Sequence, residues 1–316
     1  DPNVVDPVVF YDNEGKLWMI YGSYSGGIFV KEMDAETGMP LESGYGEKLL
    51  GGNHLRIEAP YVIYNEETGY YYMFLSFGGL DSDGGYNIRV CRSENPSGPY
   101  VDSMGQDMKD CKGPAGSAFS DATAELYGTK LMGGYKFTWK EGEEGEDRKG
   151  YLSPGHNSCL YQEETGKYFI IYHTRFENSG ETHEVRVHQM FFNEEGWPVI
   201  APYRYTEESA EKLESKQLVG TYKYINHGRD ISPDMKESEE LILNKNNTLS
   251  GALEGTWELS GDYNITLKTD EAEYKGIALK QWDEDGKKYV MTFTALDSKS
   301  GTAIWGSGLN ALNAIE

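Results

Sequence analysis

The 316 residues are rich in glycine (38) and tyrosine (24) and lack the long Ala/Leu/Glu/Lys runs of a helical protein, so turn-rich β-structure is expected. A formal charge of −23 excludes nucleic acid and anionic membrane surfaces as partners, since both require clustered Lys and Arg. No apolar run reaches the ~18 residues that a membrane-crossing helix needs, and Cys91, Cys111 and Cys159 fit no metal motif and read as buried thiols. The chain opens at Asp1-Pro2 with neither an initiator Met nor a signal peptide, which reads as a processed or truncated product.

The first hairpin is VFYDNEGKLWMIY (Val9 to Tyr21), the second VIYNEETGYYYMFL (Val62 to Leu75), the third CLYQEETGKYFIIYH (Cys159 to His173). Each is an apolar strand, an acidic turn closed by glycine (Gly15, Gly69, Gly166) and an aromatic-rich strand. Further strands are predicted at Tyr86 to Arg92, Lys130 to Phe137 and Glu184 to Phe192. Repeated four-stranded units of this kind define propeller blades, each burying its face on the next. About three blades are predicted before residue 206, fewer than the roughly four to eight that close a ring. The acidic tract of residues 141–149 reads as a solvated loop tip. Residues 206–216 (TEESAEKLESK) read as a linker between a propeller portion, 1–205, and a small domain, 217–316. That second domain alternates short strands (GTYKYI, EELILNK, GTWEL, YNITLK, YKGIAL, KYVMTFTAL, TAIWG) with Asn/Gly/Asp turns, which predicts a small antiparallel barrel or sandwich.

Two carboxylates stand out. Asp6 in VDP immediately precedes the first hairpin, and Glu58 in IEAP precedes the second. Singly, each is equally a turn residue satisfied by local backbone donors. Together, at the head of two successive innermost strands, they converge on one axial cavity, and a pair of carboxyl groups facing one sugar is what glycoside hydrolysis requires.

The segments DPVVFYDNEGKLWMIYGSYSGGIF, IEAPYVIYNEETGYYYMFLSFGGLDSDGGYNIRVCRSENPSGPY and GHNSCLYQEETGKYFIIYHTRF resemble glycoside hydrolase family 43, and within it the endo-α-1,5-L-arabinanases of the two-domain bacterial type. That resemblance implies a five-bladed propeller and an inverting mechanism. Glu58 would be the general acid, and Asp6 the carboxylate that orients it and modulates its pKa. The family's general base, an Asp near the start of the propeller, has no counterpart here. Asp1 is only five residues from Asp6 and cannot reach the far side of the sugar. The resemblance therefore implies missing N-terminal blades, on an absent segment or a second chain, and a chain catalytically incomplete alone. His156 in GHNS would face a largely water-coordinated calcium ion. Ser23 and Gly27 in GSYSGG would meet the sugar, and Tyr86 in GGYNIRV would contact it near the cleavage point. Arg175 in HTRF is read as a partner of Asp6 or as a structural ion pair. Tyr24 and Phe29 are sugar-stacking or inter-blade packing residues, and Trp18 is a packing residue. The expected substrate is arabinan and the expected location extracellular. Two alternatives stay open: an exo-acting arabinofuranosidase or β-xylosidase of the same fold, and a non-catalytic arabinan-binding protein.

Overall fold

The computed structural model describes residues 1–140, 143 and 149–312, so the acidic tract of residues 141–149 lies largely outside the described residues. The first antiparallel meander comprises β1 (Val8–Tyr11), β2 (Leu17–Ser23), β3 (Gly27–Met33) and β4 (Glu47–Leu50). The second comprises β5 (Ile57–Asn65), β6 (Tyr70–Phe77), β7 (Asn87–Ser93) and β8 (Thr129–Met132). After the short β9 (Tyr135–Lys136), the third is built from β10 (Tyr151–Gln162), β11 (Lys167–Phe176), β12 (His183–Phe192) and β13 (Pro198–Ile200). Gly15, Gly69 and Gly166 close the hairpin turns with positive φ, as the turn pattern requires.

The meanders stack face to face as blades. β5 lies beside β1 and β2 on one side and beside β10 on the other. β6 shows why: Tyr71, Met73, Leu75 and Phe77 join a core shared with Ile20, Ile28 and Val30, while Tyr72 and Phe74 join one shared with Ile170, Tyr172 and Met190. A strand apolar on both faces must be covered on both. The outermost faces are not so covered: Val9 and Tyr11 on the first meander, and Leu160, Val185 and Val187 on the third, are exposed.

The stretch expected as one strand, Lys130 to Phe137, is two. Gly133 and Gly134 break it, leaving β8 in the second sheet and sending β9 to pair with β10 in the third. All three cysteines are free and buried, as read from their odd number.

The last strands are β14 (Gly220–Asn226), β15 (Lys236–Glu237), β16 (Glu239–Leu243), β17 (Thr248–Gly251), β18 (Gly255–Ser260), β19 (Asn264–Lys268), β20 (Glu273–Asp283), β21 (Lys288–Asp297) and β22 (Thr302–Gly308). All but β15 form one antiparallel run, which β14 closes by pairing with β22 from Tyr222↔Gly308 to Asn226↔Ile304. This is a barrel and not a sandwich, filled by side chains such as Trp257, Tyr222 and Phe293. β15 instead adds to β9 in parallel, and Ala303 and Trp305 of β22 point outward into the core beside the second and third meanders. Residues 206–216 are docked at this seam: Glu208 is buried and accepts a 2.8 Å hydrogen bond from Gln281 Nε2 of the barrel.

Candidate active site

A kink recurs just ahead of β1 and inside β5 and β10. Asp6, Ala59 and His156 have φ of 52°, 52° and 47°, a left-handed conformation unfavourable for any residue with a Cβ. Pro7 and Pro60 follow two of them, one just ahead of β1 and the other inside the β5 bulge, where the N–H that proline lacks costs no ladder bond. In β5 the kink is a bulge between Glu58↔Ser76 and Tyr61↔Phe74, and β10 has bulges on either side of Gly155. Such strain, on the order of 1–3 kcal/mol per residue, concentrates where geometry serves function. The position equivalent to Asp6 is thus Ala59, and Glu58 sits one residue earlier. The two carboxylates converge without being strictly equivalent.

The kinks gather three groups. One carboxylate oxygen each of Asp6 and Glu58 and a ring nitrogen of His156 all lie within 4.8 Å of one another. Asp6 Oδ2 accepts from the Ala59 N–H at 3.2 Å, and Asp6 Oδ1 lies 3.9 Å from His156 Nε2. Glu58 is held at both oxygens: Ser23 Oγ donates to Oε2 at 2.9 Å, and the Tyr86 hydroxyl donates to Oε1. Ser76, opposite Glu58 in the sheet, accepts the His156 N–H at 2.7 Å and ties the third meander to the second.

Tyr86 is 1% exposed, and burial, then the Glu58 charge, pushes its phenol well above the ordinary range. It therefore stays a donor to the carboxyl at any working pH. Its ring occupies the space that a side chain at 155 would need, since a Cβ on Gly155 would lie 1.9 Å from Tyr86 Cδ2. The glycine of the GHNS motif makes room for the tyrosine that grips the acid.

The other anticipated residues fall as follows. Ser23 is buried and bonded to Glu58, so the acid takes its hydroxyl. Gly27 has a packing reason, because a Cβ there would lie 2.2 Å from the Leu50 carbonyl oxygen of β4. Arg175 does not pair with Asp6: its Nε binds Glu181 Oε2 at 2.7 Å. The hairpin between β11 and β12 folds back and brings Glu181 to the arginine. Glu181 also accepts from the Ser82 Oγ at 2.6 Å, fastening the β6–β7 loop. Tyr24 donates to the Gly78 carbonyl at 2.7 Å, and Trp18 Nε1 donates to Asp12 Oδ2 at 2.8 Å while its ring packs into the core.

Four contributors escaped the sequence. Ser76 and Gly155 carry no sign of their role apart from their partners. His173 lies against both Tyr86 and His156, and burial, then the nearby His183, Arg175 and His156, push it down to about 4, so it is neutral near neutral pH. Asn157 lines a 330 Å³ depression with Asp6 and His156, and its buried Oδ1 has no partner among the described residues.

Four-stranded blades stacked around paired carboxylates, followed by a closed eight-stranded barrel, define a propeller-type protein with an acid-bearing axial site. The comparisons specify it further. Residues 1–130 match glycosyl hydrolases family 43, and residues 202–306 match the C-terminal lipocalin-like domain of that family. The crystal structure of the family 43 YxiA protein of Bacillus licheniformis superposes with a TM-score of 0.93 at 53% identity, covering 98% of this chain and 68% of that one. The endo-1,5-α-L-arabinanase of Thermotoga petrophila superposes with a TM-score of 0.92 at 48% identity, with the same coverage. The extracellular endo-α-(1→5)-L-arabinanase 2 of Bacillus subtilis is 55% identical over 97% of this chain, which spans 64% of that relative's length. The chain belongs to glycoside hydrolase family 43.

Proposed function

We propose that these residues form the acid side of a secreted, endo-acting, inverting hydrolase of α-1,5-linked arabinan. The observation that carries the reading is the Glu58 carboxyl, held by Ser23 and Tyr86 beside Asp6. In its protonated form Glu58 gives its proton to the departing glycosidic oxygen. Hydrogen bonds strengthen when the acceptor becomes charged, so both donors stabilise the transition state more than the ground state. Asp6, fastened to the Ala59 N–H, fixes the peptide next to the acid and thereby its orientation.

Asp6 is not the base. Its oxygen lies within 4.8 Å of Glu58, short of the roughly 6.5–9.5 Å that an inverting pair leaves for water. One of its oxygens also accepts from the Ala59 N–H, the peptide beside the acid, and the other faces His156 at 3.9 Å. The reading therefore assigns the base to propeller residues beyond these 316, on a preceding segment or a second chain, completing five blades. The uncovered apolar faces of the first and third meanders support it. The relatives' names support arabinan as substrate, endo action and secretion.

The same site suits a hydrated calcium ion. Calcium takes six to eight ligands, mostly oxygen, and the half-exposed His156 Nε2, grouped with one oxygen each of Asp6 and Glu58, offers an anchor, with water completing the shell. The ion would supply positive potential beside the carboxyl pair.

The test is linear α-1,5-arabinan digested by the complete ring, with products sized over time. Mid-chain oligosaccharides and an inverted anomer in the first NMR spectra are expected. Glu58→Gln should lower turnover by about 10²–10⁴-fold. Chelation should lower it reversibly, and indifference to chelation removes the cation from the reading. Release of arabinose alone, or a retained anomer, would overturn the proposal.

A further inference from the structure

We infer that the groove between the second and third meanders, at the opposite end of the inner strands from Glu58, is a second binding site for a neutral polysaccharide chain. Its assignment to arabinan rests on the function proposed above. Glu58 is near the start of β5, and the groove begins where β5 ends, at Tyr64, Glu66 and Glu67. The six residue steps from Glu58 to Tyr64 span roughly 20 Å of strand, so one bound sugar unit cannot occupy both places.

The groove has a volume of 640 Å³, within the range of about 300–1,000 Å³ typical of built ligand sites. Its wall is an aromatic platform. Tyr161 and Tyr168 stack at 4.5 Å with an interplanar angle of 27°, and Phe192 braces Tyr168 edge-on at 5.1 Å. Tyr161 is nonetheless 46% exposed, so one side of the pair is open. Tyr263 of the barrel also lines the groove, so two blades and the barrel all contribute to it.

The polar groups decide what fits. Glu66, Glu67 and Glu163 lie around the platform, which excludes an acidic ligand. Lys167, the cation among the lining residues, is already bonded to the Tyr205 hydroxyl at 3.0 Å and the Glu208 carbonyl at 2.8 Å. With three carboxylates against one lysine the lining is net negative, so an anion is repelled. A flat apolar surface beside carboxylate acceptors fits a sugar, whose C–H faces lie on aromatic rings while its hydroxyls donate to carboxylates. Such a site would hold the polymer to the protein while the axial cleft acts on another stretch of it, and two linked contacts raise retention without any new chemistry.

The experiment is native electrophoresis of the 316-residue chain through gels containing debranched arabinan, xylan or galactan. Retardation by arabinan is expected, weakened about three- to tenfold in Tyr161→Ala and unchanged in Glu58→Gln. Tyr161 is exposed, so its variant should keep the wild-type unfolding midpoint and the wild-type rate on arabinotriose in the complete ring. Wild-type retardation in Tyr161→Ala overturns the proposal, as does the absence of retardation by all three polymers. Competition by oligolysine but not by arabinohexaose would do the same, because it would identify a basic peptide as the occupant. Tyr161-dependent retardation by xylan or galactan alone would keep the groove and sink the arabinan reading.

Discussion

Asp6 and Glu58 were readable because each stands beside a proline-containing step at the head of a hairpin, a pattern a surface turn does not require. Tyr86 was anticipated as a sugar contact, yet its hydroxyl is spent on the acid, and Arg175 finds Glu181 rather than Asp6. Sequence could not supply these partners, because they depend on how the β6–β7 and β11–β12 connections fold back. Gly155 shows how small the controlling feature can be. Gly155→Ala adds one methyl 1.9 Å from the Tyr86 ring, so the ring must move and release Glu58. We expect a stability loss of about 1–3 kcal/mol and a fall in turnover of tenfold or more. Thermal unfolding and arabinan digestion measure the two. A variant with wild-type turnover would show that the tyrosine need not be held there.

Among the elements, hairpins with acidic turns and closing glycines were legible because local chemistry dictates them. The split between β8 and β9 was not, since Gly-Gly inside an apolar run is equally compatible with a bulge. β17 was missed for a related reason: TLSG is too short and polar to announce itself, and pairing with β16 and β18 makes it a strand. The β11–β12 ladder carries a pH liability. His188 is wholly buried, with Nδ1 2.7 Å from the Ala201 carbonyl and Nε2 3.0 Å from the Tyr172 hydroxyl. These partners fit a neutral ring that donates from Nδ1 and accepts at Nε2. Burial, then the Arg186 and Arg204 charges, hold its pKa down to about 4, although the Ala201 bond acts the other way. The unfolded chain takes up this proton near pH 6.5. The contribution is thus complete above that pH and is lost as pH falls toward 4, by on the order of 3 kcal/mol. Urea midpoints should decline between pH 7 and 4, with a shallower decline in His188→Gln. Equal slopes in the two proteins would remove His188 as the cause.

For the whole molecule, three stacked units and a small β-domain followed from repeats and turn spacing, whereas closure of the barrel depends on a β14–β22 pairing between distant segments. The arc ends on two uncovered apolar faces, with Val9 at 55% and Val185 at 64% exposure. If the further blades proposed above pack on those faces, joining them to these residues should slow amide exchange in β1 and β12 and raise the unfolding midpoint by several degrees. Unchanged exchange in both strands would mean that nothing packs on those faces.

The acid is gripped by a serine from one blade and a tyrosine from the next, and the adjoining histidine of the third blade is pinned to the second through Ser76. No single sheet owns the chemistry. The grip on that carboxyl resides in the seams, and it is surrendered when one of them gapes, while every strand on either side is still intact.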